Sequence, residues 1–162
     1  MKRILIYYSL EGHTRFVARR VAGHLGCDLF ALETVKPYPS SGFMKFFIAG
    51  RDAMFHWKVA LQQPLPDLSA YDQVLLATPV WAETVSSPLY SYVKRTDFTG
   101  KDLYLVATCS GGPTKKCFAT IKRNVHDAHV KGEISFVNAS EEQWKDEEAL
   151  VEFCRSIQES GS

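Results

Sequence analysis

The stretch Ile4-Leu5-Ile6-Tyr7-Tyr8-Ser9-Leu10-Glu11-Gly12-His13-Thr14 decides how the chain is read. Its first five residues are bulky and apolar without alternation, which is the pattern of a strand buried on both faces of a parallel sheet. Downstream, Val17, Val21 and Leu25 fall four apart, with Ala18 and Ala22 beside them, and so form one apolar helix face. A strand, a turn bearing hydroxyls and a glycine, and a helix therefore stand in succession. The first amides of such a helix have no acceptor within it, and its dipole is positive at that end. Residues 9–14 thus predict an anion site, most naturally for a phosphate. Ser9 and Thr14 add hydroxyl donors, and Gly12 lets the backbone come close. A plain polar turn with a capping threonine is the alternative on these residues alone. The stretch has neither a Gly-x-Gly-x-x-Gly nor a Gly-Lys-Thr/Ser ending, so a phosphate bound here points to a mononucleotide.

Working outward, residues 28–33 read as a second strand with polar ends, suited to a sheet edge. A loop rich in proline, serine and glycine follows, through Ser40 and Ser41. Residues 42–61 hold Phe43, Phe46, Phe47, Phe55 and Trp57, and the spacing of Phe43, Phe47, Gly50 and Met54 predicts a helix. Packing of its aromatic face on the sheet is the simpler expectation. The alternative leaves part of the cluster exposed, covering a ligand or meeting a second subunit. Residues 73–78 form a central strand that runs into Thr78-Pro79-Val80-Trp81-Ala82-Glu83. Ser86, Ser87 and Pro88 open a helix that ends at Lys94-Arg95. Residues 102–108 make a fourth strand, emptying into Cys109-Ser110-Gly111-Gly112. Phe118, Ile121 and Val125 mark a helix, residues 133–137 a fifth strand, and Ser140-Glu141-Glu142-Gln143 a capping box for the last helix.

Five strands alternating with helices imply a three-layer, doubly wound α/β fold on a five-stranded parallel sheet, in one domain over residues 1–160. Ligands of such sheets sit at the carboxyl ends of the strands, where the order reverses. The loops beginning at Ser9, Thr78 and Cys109 all lie at that end, and one crevice would collect them.

Composition narrows the function. Nineteen basic and eighteen acidic residues leave a net charge of +1, so no broad basic field speaks for nucleic acid. No apolar run reaches the roughly 20 residues that a membrane span requires. The four cysteines form no Cys-x-x-Cys pair, which favours a reduced, cytoplasmic protein.

At the three loops the sequence resembles the flavodoxin family in its short-chain branch, whose strand order is 2-1-3-4-5. The family's first loop, Thr/Ser-x-Thr-Gly-x-Thr, is matched by Ser9-Leu10-Glu11-Gly12-His13-Thr14, and the aromatic of its second by Trp81 in Thr78-Pro79-Val80-Trp81-Ala82-Glu83. Its third, a turn of glycine and serine, is matched by Cys109-Ser110-Gly111-Gly112. The resemblance implies an FMN cofactor. The amides of Leu10 to Thr14 would hold its phosphate, Trp81 would stack on its isoalloxazine, and the amides of Ser110 to Gly112 would reach the pyrimidine edge. Glu11 departs from the family's threonine; its side chain must turn outward, since a carboxylate repels a phosphate dianion. A second departure is the third loop's lack of the tyrosine that covers the other ring face in many members.

The implied function is electron transfer with redox partner proteins or a small redox-active acceptor. The alternative is an FMN-dependent NAD(P)H:quinone or flavin reductase, favoured by the near-neutral charge where electron carriers of the family are acidic. A homodimer through the aromatic 43–57 segment is a further expectation. His126-Asp127-Ala128-His129 lacks a third metal ligand and reads as a solvated turn. A phosphatase Cys-x5-Arg motif fails because position 115 is Lys115.

Overall fold

A computed structural model describes residues 1–39 and 42–162. Ser40, Ser41 and the side chain of Phe43, all named above, lie outside the described residues. The main sheet runs β2 (Asp28–Ala31), β1 (Arg3–Tyr7), β3 (Gln73–Trp81), β5 (Asp102–Cys109), β6 (His129–Val137), and every neighbouring pair is parallel. A two-residue strand, β4 (Thr84–Val85), pairs antiparallel with the end of β3. Setting β4 aside, the order of the five long strands is the anticipated 2-1-3-4-5. β4 escaped the sequence reading because its turn, Ala82-Glu83, carries none of the usual hairpin residues.

The absence of alternation in the central strands has a structural cause: both faces are covered. Ile4, Ile6, Val74, Leu76, Leu103 and Leu105 face one core. That core is closed by α3 (Ser87–Arg95) and α4 (Lys115–Asn124) through Leu89, Tyr92, Phe118 and Ile121. Leu5, Tyr7, Leu75, Ala77, Tyr104 and Val106 face the other. There α1 (His13–Leu25) and α5 (Glu147–Ser160) lay down Val17, Val21, Leu150 and Ile157.

Two elements differ from expectation. Residues 140–143 form a turn closed by the Gln143 amide donating to the Ser140 carbonyl at 3.2 Å, and α5 begins only at Glu147. The reason lies in Glu147, whose carboxylate accepts from Arg20 and His24 of α1 and from the Trp144 indole. Those bonds fix the helix start at the point where α5 meets α1. The second difference is α2 (Phe43–Met54), which turns Ala49, Asp52 and Ala53 inward and leaves Phe46, Phe47 and Met54 more than half exposed. Small residues let this helix approach the first core closely, and its aromatic side stays outside.

Candidate functional site

The loops after β1, β3 and β5 open onto one cavity of about 350 Å³ at the carboxyl edge of the sheet. That size suits a small-molecule site. The first loop contributes Ser9, Leu10, Glu11, His13 and Thr14. The end of β3, which runs on through the expected second loop to Trp81, gives Pro79, Val80 and Trp81, and its turn Ala82. The end of β5 gives Cys109, and the loop beyond it Ser110. Five candidates do not line it. Gly12 forms the turn, Thr78 is buried behind the wall, and Glu83, Gly111 and Gly112 lie outside.

Local rules explain the first loop. Gly12 caps α1 with φ +102°, a left-handed conformation that side-chain-bearing residues adopt at a cost. The Ser9 hydroxyl oxygen accepts from the Gly12 amide at 3.1 Å and the Arg15 amide at 3.2 Å, which leaves its own proton free to donate. The amides of Leu10, Glu11, His13 and Thr14 find no acceptor among the described residues. Four unpaired donors at the positive end of a helix are a built anion cradle. Thr14 departs from the simplest reading, because its hydroxyl is buried and lies 2.7 Å from that of Thr108. One proton closes that pair, and the other remains to be donated. His13 Nδ1 lies 2.9 Å from the Ala139 carbonyl, which can only accept, so Nδ1 carries a proton.

The second loop is a β-hairpin. Ala82 and Glu83 both have positive φ, 48° and 65°, in a two-residue turn between Trp81 and Thr84. Thr78 holds its base: its hydroxyl accepts from the Ser86 amide at 3.1 Å and lies 2.8 Å from the Ser86 hydroxyl. Trp81 is thereby fixed against the cavity, with Tyr8 and Tyr38 meeting it edge-to-face at centroid distances of 5.7 and 5.0 Å. Burial pushes the Tyr8 phenol up to about 12, so it stays neutral beside the indole. In the third loop the Cys109 thiol is half-buried and 3.9 Å from the Phe136 carbonyl.

A family model described as Flavodoxin matches residues 2–150. This chain belongs to the flavodoxin family. Comparison with curated protein sequences returns no match. Among solved structures, a candidate flavoprotein from Bacteroides eggerthii is 19% identical over 97% of this chain and 98% of its own, with a TM-score of 0.78. A flavoprotein from Lactobacillus acidophilus, crystallised in complex with FMN, is 18% identical over 83% of this chain and 92% of its own, at 0.70. Oxidised flavodoxin 1 from Bacillus cereus is 14% identical over 98% of both chains, at 0.56. At these identities the likeness to solved structures shows the fold.

The cavity has a fourth wall besides the three loops. It comes from α2, through Lys45, Phe46, Ala49 and Gly50; the aromatic cluster that includes Phe46 was expected at a ligand only as the alternative, and Lys45, Ala49 and Gly50 were not placed at the site. The signal was present in their spacing, since 45 with 49 and 46 with 50 stand one above the other on a helix. Reading the aromatics as the inward face concealed it. Glu11 lines the cavity beside these residues, and its carboxylate pairs with Lys45 at 3.5 Å. Elsewhere, His126 and His129 are exposed, and no cluster of metal-ligating side chains exists among the described residues.

Proposed function

We propose that the protein is an FMN-binding flavodoxin that works in electron transfer through its flavin. FMN is the cofactor implied by the family and by the relative crystallised with it. The residues present fit that group: four unpaired amides beside donor hydroxyls suit its phosphate, and the cavity walled by Trp81 suits its ring. The unpaired amides at the head of α1, lining the same cavity as a fixed indole, carry the reading.

When bound, FMN supplies one- and two-electron redox chemistry. The chain's own part is to hold and shield it. Leu10, Glu11, His13 and Thr14 present main-chain donors to the dianion, with Ser9 and one of the Thr14–Thr108 pair adding hydroxyl protons. Trp81, locked by Tyr8 and Tyr38, offers a preorganised plane for offset stacking, worth about 0.5–1.5 kcal/mol beyond its buried area. Ser110 and the backbone beside it would meet the ring's polar edge, and Phe46, on the cavity wall, would cover the ring face for which the third loop holds no tyrosine.

The net charge of +1 favours a second reading, direct use of NAD(P)H to reduce a quinone or flavin. Purification with a visible spectrum and cofactor extraction tests the first reading. A colourless protein that takes up no FMN refutes it. Adding NADH or NADPH to holoprotein separates the two roles, because rapid bleaching without any partner excludes a pure carrier.

A further inference from the structure

We propose that Lys45 is the cation that reads the FMN phosphate, and that its pair with Glu11 latches α2 onto the phosphate loop. The inference rests on the FMN reading above and adds how this chain distinguishes the phosphorylated cofactor from riboflavin.

The position of Lys45 is unfavourable without a ligand. Its side chain is only 13% exposed, although lysine ammonium groups are normally kept in water. It stands in the first turn of α2, where the helix dipole is positive and repels a cation. Its ion partner among the described residues is Glu11, and the 3.5 Å separation is long for a charge-assisted hydrogen bond. Its Nζ also sits 4.5 Å from the Phe46 ring centre, a contact that uses none of its acceptor-seeking protons strongly. An ammonium has three donors, and here they are loosely employed at best. Lys45 is also the one lysine or arginine among the described residues lining the cavity.

Glu11 presents the complementary problem. It sits within the anion cradle, where its own charge opposes the ligand. Lys45 resolves both. Without cofactor it offsets the carboxylate and draws α2 toward the loop; with a dianion present the ammonium has a stronger partner beside the same amides. Riboflavin offers no such partner and gains nothing from Lys45.

The test is titration of apoprotein with FMN and with riboflavin, for wild type, Lys45→Met, Lys45→Arg and Glu11→Gln, with circular dichroism to verify folding. Lys45→Met is expected to weaken FMN binding about 10- to 100-fold, the range of a hydrogen bond to a charged group, while riboflavin affinity changes less than about twofold. Lys45→Arg keeps the preference for FMN, and Glu11→Gln tightens FMN severalfold without moving riboflavin. Equal loss of both flavins in Lys45→Met, or no loss of either, overturns the inference while leaving FMN binding intact. A wild type that binds neither flavin refutes the proposed function itself, and this inference with it.

Discussion

Replacing Gly12 by valine isolates the backbone geometry on which the cradle depends. A Cβ at this position would meet Arg15 Nη2 at 3.6 Å, an ordinary contact, so the first side-chain carbon has room. The obstacle is φ +102°. A non-glycine residue held in the left-handed region costs on the order of 1–3 kcal/mol, and β-branching places valine at the upper end. The turn must either bear that strain or relax and lose the Gly12 and Arg15 amide bonds to the Ser9 hydroxyl. Relaxation also disperses the four unpaired amides. Losing two charge-assisted contacts to a dianion, at about 1.5–3 kcal/mol each, weakens binding by 100-fold or more. Urea denaturation of apoprotein should show a midpoint lowered by about 1 M, since m is about 1–3 kcal/mol/M for a small protein. Flavin fluorescence titration should show the loss of FMN affinity. An unmoved midpoint together with unchanged FMN affinity would refute the reasoning.

Three further outcomes are expected. Bonds to His24, then Trp144 and Arg20, hold the Glu147 carboxyl at about 2, below its ordinary 4.5, so it stabilises the fold above pH 4.5. That contribution fades as pH falls from 4.5 toward 2, and for a carboxylate 40% exposed it is about 1 kcal/mol. Glu147→Gln should therefore lower the urea midpoint at pH 7 and lose its effect near pH 2; an equal effect at both values would contradict the assignment. Changing Ala82 and Glu83 to Asn and Gly, which suit two positive φ angles, should stabilise apoprotein by about 1–2 kcal/mol and raise its melting midpoint by several degrees, and calorimetry that shows no rise would remove strain from the account of that turn. Phe47, Phe55 and Trp57 are each about half to two-thirds exposed, and Phe55 stacks on Trp57 with ring centroids 5.8 Å apart, the kind of exposed apolar surface that often marks an interface. Sedimentation equilibrium is expected to show a dimer at micromolar concentration that Phe55→Glu makes monomeric; a monomeric wild type would remove the dimer proposal.

The sheet was legible because its information is local and repeated. Runs such as Val74-Leu75-Leu76-Ala77 and Leu103-Tyr104-Leu105-Val106 are apolar at every position, which only a doubly covered parallel strand tolerates. The first loop was legible for a similar reason, since a strand, a glycine and an apolar-faced helix follow each other directly. What the sequence could not expose were partners separated by a hundred residues. Thr14 reads as a phosphate donor until Thr108 is brought to 2.7 Å, and Glu147 reads as mid-helix until Arg20 and His24 gather on it. The capping pattern at 140–143 is locally sound, and long-range charge simply outweighs it.

α2 misled for a different physical reason. Hydrophobicity alone ranks Phe46 and Phe47 as more buried than Ala49 and Ala53, and the structure reverses that order. A helix lying against the end of a sheet beside a cavity must come close, and closeness selects small side chains at the contact. Asp52 is buried with them because Tyr38 donates to it at 2.8 Å and Arg51 lies 3.0 Å away. Once Ala49, Asp52 and Ala53 face inward, helical geometry leaves Lys45 and Phe46 at the rim of the cavity. The same short helix brings a cation to the Glu11 carboxylate and an aromatic ring to the cavity wall, two features that the three loops alone do not reveal.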